Sequence, residues 1–85
     1  MPEITIYTTS ACAYCQSAKA LLTRKGARFR EIDVTGDTAA REALTRKAGG
    51  SSTVPQIWIG AAHVGGSDDL HALDRAGKLA ALLAP

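Results

Sequence analysis

The sequence predicts an α/β protein with a mixed four-stranded sheet and helices on both faces, in the order β-α-β-α-β-β-α. Short runs of alternating apolar and polar residues indicate strands, and they are separated by stretches whose apolar residues recur at helical spacing. The first two predicted strands are joined through a helix, which favours a right-handed parallel crossover. The last two are joined by a tight turn, which favours an antiparallel hairpin. With 85 residues, we expect one domain spanning residues 1–85.

The N-terminal half of the sequence predicts a β-α-β-α segment. Residues 3–8 alternate between apolar and polar side chains, as a strand does. From Tyr14 the apolar residues follow helical spacing until Gly26, where a glycine is typical of a helix end. Residues 27–34 form the second predicted strand, and residues 38–48 form a polar helix ended by two glycines.

The C-terminal half predicts a hairpin followed by helices. Residues 53–60 read as a strand with a proline near its start, where a missing N–H matters least. After a tight turn, residues 63–66 form a short strand. We expect Ser67 to be the N-cap of a helix over residues 67–77, and a short helix over residues 78–83.

Composition excludes several classes of function. The chain is 46% hydrophobic and 21% charged with a net charge of +2, as in ordinary globular domains. Interleaved acidic residues and only four aromatic side chains argue against nucleic-acid binding. The longest apolar run, "LAALLA" from Leu79, is far shorter than the roughly 20 residues of a membrane-spanning helix. No secretion signal precedes the first strand, so we expect a cytoplasmic protein.

Cys12 and Cys15, the only cysteines, lie two residues apart between the first strand and the first helix. A zinc site is disfavoured because no second C-x-x-C follows and because His63 and His71 lack the spacing of paired ligands. Two inert thiols fit poorly, since Cys12 falls in a loop and not on an apolar stripe. Two cysteines this close cannot cross-link a large loop either. A redox dithiol is the favoured interpretation.

The position of the pair gives this interpretation a physical cause. A thiolate, and not a thiol, attacks disulfides. The N-terminus of a helix presents unpaired N–H groups and the positive end of the helix dipole, so Cys12 at this end should lose its proton more easily. Cys15 lies one turn further in and should be better protected. We therefore expect Cys12 to be the nucleophile and Cys15 the resolving thiol.

Three motifs resemble a known family. "CAYC" after the first strand, "TVPQIWI" about forty residues later and "HVGGSDDLHAL" after that closely resemble a bacterial glutaredoxin of the small, glutathione-dependent type. The resemblance covers nearly the whole chain. It implies a thioredoxin fold, glutathione as the reductant, and disulfide-containing or glutathionylated proteins as substrates.

The resemblance also implies a set of binding residues. Cys12 and Cys15 match the family's nucleophile and resolving thiol, and Tyr14 matches an aromatic residue beside the glutathione groove. The T-V-P loop has a cis proline and pairs with the cysteine part of glutathione through its valine backbone, while the G-G-S-D-D segment binds the γ-glutamyl end. The implied glutathione-binding residues are Tyr14, Thr53, Val54, Pro55, Gly66, Ser67, Asp68 and Asp69.

Simpler interpretations stand beside these assignments. Asp68 and Asp69 could serve only to stabilise the helix dipole, and Pro55 could be an ordinary proline at the start of a strand. Tyr14 could be exposed without a function. Trp58 is expected in the core. His63 and His71 are expected on the surfaces of a strand and a helix.

The sequence departs from the family's pattern in two places. Ala13 occupies a position where many relatives have proline. The absence of this proline resembles glutaredoxin variants that bind a [2Fe–2S] cluster between two protomers, through the first cysteine of each and bound glutathione. Such a cluster carrier, a dimer instead of a monomer, is the alternative function. Thr9 replaces a lysine that attracts the glycine carboxylate of glutathione, and Ser51 and Ser52 replace a basic residue before T-V-P. We expect weaker glutathione binding as a result.

Overall fold

The computed structural model describes residues 2–84, and its elements follow the predicted order. Four strands and four helices alternate along the chain, with a hairpin after the second helix. Their bounds are β1 Ile4–Thr8, α1 Ala13–Arg24, β2 Arg30–Asp33, α2 Thr38–Lys47, β3 Gln56–Ile59, β4 Ala62–Gly65, α3 Ser67–Arg75 and α4 Leu79–Leu83.

The four strands form one mixed sheet in the order β2-β1-β3-β4. Strand β1 lies parallel to β2 and antiparallel to β3, and β4 completes an antiparallel hairpin with β3. The predicted parallel crossover and hairpin are therefore confirmed. The hairpin register is irregular, since Ile57 lies opposite Gly65 while Trp58 lies opposite His63, which leaves one extra residue in β4.

Each face of the sheet is covered by helices, as the predicted order of the elements led us to expect. One face carries the larger core, in which β1 and β3 isoleucines pack on α1, α3 and α4: Ile4, Ile6, Leu21, Leu22, Ile57, Ile59, Leu70, Leu79 and Leu83. On the other face, Trp58 packs against Leu44 of α2 and against the half-buried Tyr7 and Val54. Trp58 is buried, so its expected place in the core is confirmed.

Several element bounds differ from those predicted. Strand β2 begins at Arg30 instead of residue 27, because its pairing with β1 begins opposite Thr5. Strand β3 begins at Gln56, so the preceding T-V-P segment is loop. The prediction that Ser67 is an N-cap is wrong, because Gly66 is the N-cap. Ser67 is the first residue of α3, and its side chain is buried.

The helices of residues 2–84 are all short. None of them combines the length and the apolar composition that crossing a membrane requires.

Candidate active site

Cys12 is the N-cap of α1. Its backbone is extended, with φ −131° and ψ 106°, and its Sγ accepts a hydrogen bond from the backbone N–H of Cys15 at 3.1 Å. The carbonyl oxygen of Cys12 accepts from the N–H of Gln16, which begins the helical hydrogen bonding. The sulfur therefore occupies the position in which Ser or Asp usually caps a helix, and it accepts one of the N–H groups of the first turn. Its half-buried side chain remains open to solvent.

Cys15 is the protected member of the pair. It lies on the buried side of α1 with 0% of its surface exposed. Burial is the main cause that raises the pKa of Cys15 to about 11, followed by its hydrogen bond with Cys12. A buried thiolate loses its hydration, so the thiol form is favoured at neutral pH. Cys12 is therefore accessible, as a nucleophile must be, and Cys15 is protected, as we expect of a resolving thiol.

A loop distant in sequence meets Cys12. The Cys12 thiol lies 3.7 Å from the carbonyl oxygen of Val54, to which it can donate a weak hydrogen bond. The peptide bond between Val54 and Pro55 is cis. This contact joins the head of α1 to the loop that precedes β3.

A groove of about 350 Å³ begins beside this contact. Its walls come from the start of α1, the loop before β3, and the start of α3. Although the motifs are far apart in sequence, the fold brings all of the residues implied as glutathione-binding to its lining: Tyr14, Thr53, Val54, Pro55, Gly66, Ser67, Asp68 and Asp69. Tyr14, at one wall, is 67% exposed.

The start of α3 forms the far wall of the groove. The N–H of Gly66 donates to Asp69 Oδ2 at 3.0 Å, so the Asp69 carboxylate caps the helix it belongs to. Gly65 has φ +111°, and a Cβ at this position would overlap the Asp69 carboxylate. Asp68 is exposed. The first-turn N–H groups of a helix have no partner within the helix, which makes this wall suited to a carboxylate.

His71 links α3 to α1. Its Nδ1 lies 2.8 Å from the carbonyl oxygen of Ser67, an acceptor, so Nδ1 carries the proton. Its Nε2 lies 3.4 Å from the hydroxyl of Ser17 in α1. The imidazole braces the start of the helix that forms the far wall.

Sequence reasoning missed other residues of the groove wall. Four more residues line it, and none of them was among the predicted site residues: Ser51, Gln56, His63 and Gly65. His63 is exposed on β4, as expected, but it faces the groove. The hairpin register could have indicated that His63 faces the groove. His63 lies opposite Trp58, and Trp58 and Gln56 are two residues apart, so their side chains point to the same face of the sheet.

Basic residues near the site are already engaged. Lys19 forms a salt bridge with Glu31 at 3.1 Å. Arg41 donates to the carbonyl oxygen of Ser52 at 3.0 Å and lines a second cleft, of about 480 Å³, together with Thr9. Arg41 therefore ties α2 to the loop before β3.

Comparison with known proteins decides the family. A glutaredoxin family model matches residues 4–64. A curated glutaredoxin from Pseudomonas aeruginosa is 64% identical over 83 residues, which are 98% of each chain. The chain belongs to the glutaredoxin family.

Solved glutaredoxin structures share the fold. A buckwheat glutaredoxin–glutathione complex superimposes with a TM-score of 0.87 at 32% identity, covering 94% of this chain and 74% of the other. Another glutaredoxin structure, from work on metal binding of glutaredoxins, is 52% identical and superimposes with a TM-score of 0.74. The match covers 98% of this chain and 89% of the other. The implied thioredoxin fold is confirmed, and family membership makes the chain a thiol–disulfide oxidoreductase.

Proposed function

We propose that this glutaredoxin uses glutathione to reduce protein disulfides and glutathione mixed disulfides, with Cys12 as the nucleophile. The observation that carries the proposal is the half-buried Cys12 Sγ, which is hydrogen-bonded at the head of α1 and lies 3.7 Å from Val54 in the wall of the groove. A tripeptide bound in that groove would place its own sulfur beside Cys12.

The groove offers complementary groups to each end of glutathione. Val54 can pair its backbone with the cysteine part of the ligand, in the manner of a strand. The N–H groups that begin α3 suit the γ-glutamyl carboxylate, and the Asp69 oxygen not used by Gly66 can accept from the ammonium group. The buckwheat glutaredoxin binds glutathione on the same fold, which supports this assignment.

The first step is attack by the Cys12 thiolate on one sulfur of a disulfide. A bond forms between Cys12 and that sulfur, the original S–S bond breaks, and the other sulfur leaves as a thiolate that takes a proton from water. When the substrate is a glutathione mixed disulfide, Cys12 attacks the glutathione sulfur. The protein thiol is then the product and Cys12 holds glutathione.

Two routes can complete the cycle. In the dithiol route, Cys15 attacks Cys12, releases the bound thiol and leaves an internal disulfide, which two glutathione molecules reduce while they are oxidised to glutathione disulfide. In the monothiol route, a second glutathione attacks the mixed disulfide directly. Because burial raises the pKa of Cys15 to about 11, little Cys15 thiolate exists at neutral pH, which favours the monothiol route.

We assign the reaction to the cytoplasm, where glutathione keeps thiols reduced. Glutaredoxin dithiols have reduction potentials of about −200 to −230 mV, close to that of the glutathione pool, so the reaction can run in either direction. Disulfide-containing and glutathionylated proteins are the proposed partners of a monomeric enzyme.

A second candidate function is a [2Fe–2S] carrier. Its supporting observations are the solvent-open Cys12 thiol and the 52% identical glutaredoxin studied for metal binding. Within residues 2–84, no three His, Cys, Asp or Glu side chains are grouped as metal ligands. A cluster would therefore need Cys12 from each of two protomers, with glutathione supplying the remaining thiolates.

The test is glutathione-dependent turnover of a small glutathionylated disulfide. Cys12→Ser should abolish turnover, whereas Cys15→Ser should retain it and lose only the reduction of protein disulfides by the dithiol route. Turnover by Cys12→Ser would contradict the proposal. To test the carrier function, the protein is purified anaerobically with glutathione and its visible spectrum is recorded. A cluster carrier should show visible absorbance, and the absorbance should be absent in Cys12→Ser.

A further inference from the structure

A hydrogen-bonded network lies behind the loop that precedes β3. Gln56 is 2% exposed, and its side-chain Nε2 lies 3.1 Å from Ser51 Oγ, 3.1 Å from the carbonyl oxygen of Thr53 and 3.2 Å from Thr53 Oγ1. Its Oε1 lies 2.7 Å from Nε2 of His63. One buried amide thus connects an exposed imidazole on β4 to the loop.

The chemistry of the acceptors determines the direction of every bond in this network. The Thr53 carbonyl oxygen can only accept, so the Gln56 atom that faces it must be the NH₂ group. The amide oxygen of Gln56 then faces His63. Because that oxygen also only accepts, the Nε2 atom of His63 must carry a proton and donate.

The imidazole is positioned by a second contact. The His63 ring stacks on Trp58 with 4.5 Å between centroids and 21° between planes. Trp58 is itself buried against α2, and an edge-on contact with Tyr7 restricts it further. The plane of the His63 ring and the direction of its donor are therefore both constrained, although the residue is exposed.

From this geometry we infer that His63 is a positioning residue for substrate, acting through Gln56 on the loop of residues 51–53. The inference rests on the proposed function. Thr53 directly precedes Val54, whose carbonyl contacts Cys12 and whose backbone we assign to the cysteine part of glutathione. Without the His63 donor, the Gln56 oxygen would lose its partner. The amide could then rotate away from Thr53, and the groove wall would become less ordered.

Two variants separate the donor from the stacking. His63→Phe retains an aromatic ring for Trp58 and removes the donor. His63→Gln removes the ring and retains an N–H donor, because the Nε2 of glutamine is as many bonds from Cβ as the Nε2 of histidine. Both replace an exposed side chain, so both should fold. We expect the KM for a small glutathionylated disulfide to rise about threefold to tenfold in His63→Phe, with kcat within about twofold of the parent. We expect His63→Gln to restore KM to within about twofold.

A structural readout accompanies the kinetics. The hydrogen-exchange rate of the Gln56 side-chain amide, measured by NMR, should rise about threefold or more in His63→Phe and remain near the parent rate in His63→Gln. An unchanged KM in His63→Phe, or an equal rise in both variants, would overturn the positioning role alone. If the parent chain fails to turn over glutathionylated disulfides, the proposed function fails, and the role of His63 toward substrate fails with it.

Discussion

The Cys12 thiol and the Val54 carbonyl oxygen lie 3.7 Å apart, although 42 residues separate them in the sequence. The contact joins the head of α1 to the loop before β3. It brings the accessible sulfur to the edge of a groove that neither segment could form alone. The reactivity of Cys12 and the geometry of substrate binding therefore depend on the same contact.

The pH dependence of the dithiol route should follow Cys15. Burial raises the pKa of Cys15 to about 11, and we expect this cause to persist when Cys12 carries glutathione. Below that pKa, the Cys15 thiolate fraction rises about tenfold for each unit of pH, so internal disulfide formation should accelerate by the same factor between about pH 6 and 9. Acid quenching and mass spectrometry of the Cys12–glutathione adduct measure the rate. A rate independent of pH would contradict the prediction, and Cys15→Ser is the control that forms no internal disulfide.

A lysine at position 9 should strengthen glutathione binding. Thr9 lines a cleft that also contains Arg41, next to the active-site loop, and a lysine there is expected to attract the glycine carboxylate. An exposed charge pair contributes about 0.2–1 kcal/mol, so the KM for a glutathionylated disulfide should fall about 1.5- to 5-fold in Thr9→Lys. Thr23→Lys adds the same charge near the other end of α1 and should change nothing. Equal KM values in Thr9→Lys and the parent would refute the charge argument.

Gly65→Ala should damage the site as well as the fold. Gly65 and Gly77 have positive φ angles of +111° and +71°, where alanine costs about 1–2 kcal/mol. Only at Gly65 would the added Cβ also overlap the Asp69 carboxylate; at Gly77 it would meet nothing within 4 Å. Urea unfolding should show both variants destabilised. A higher KM for glutathionylated disulfide is expected only in Gly65→Ala, and a similar rise in Gly77→Ala would count against a role for Asp69.

Acid sensitivity should depend on Glu31. A hydrogen bond from Thr8, at 2.7 Å, and then one from Lys19 lower the pKa of Glu31. A carboxyl with a lowered folded-state pKa stabilises the fold above its unfolded pKa and loses this effect as pH falls through the folded value. Glu31→Gln should therefore lower the free energy of unfolding by about 0.2–1 kcal/mol near neutral pH and make it fall less steeply below about pH 5.

The matched control for Glu31 is Glu42→Gln. Glu42 is an exposed residue of α2, and within residues 2–84 no salt bridge includes it. The substitution removes the same charge. Urea unfolding at neutral and acidic pH compares the two variants, and identical pH profiles would show that the contacts of Glu31 with Thr8 and Lys19 are immaterial to acid stability.

Much of the fold could be predicted because its signals are local. Alternation in β1, helical spacing in α1 and the tight turn of the hairpin depend only on near neighbours in the chain. One error arose where a partner elsewhere decides the outcome. Strand β2 begins only where β1 offers a pairing residue, which the composition of β2 does not show. The error at Ser67 has a local cause: Asp69, three residues after Gly66, accepts from the Gly66 N–H, and this makes Gly66 the N-cap.

For the candidate site, the motifs identified most of the residues that line the groove. They did not identify the side-chain hydrogen bonds that hold this lining in place. Spacing and resemblance pointed to the C-x-x-C, T-V-P and G-G-S-D-D segments, and the structure places them around one groove. Gln56 and His63 were missed as members of its wall. Their importance comes from a side-chain hydrogen bond across the β3–β4 hairpin, whose irregular register is not encoded in any short motif.

The sequence by itself determined the chemistry, namely two thiols at the start of a helix and the alternation that builds a mixed sheet, because helix dipoles and side-chain periodicity act over a few residues. Only the tertiary structure decided that Cys15 is completely buried, that Val54 meets Cys12, and that His63 reaches the loop through Gln56. Burial and long-range hydrogen bonds depend on how distant segments pack, and that arrangement is a property of the folded chain as a whole.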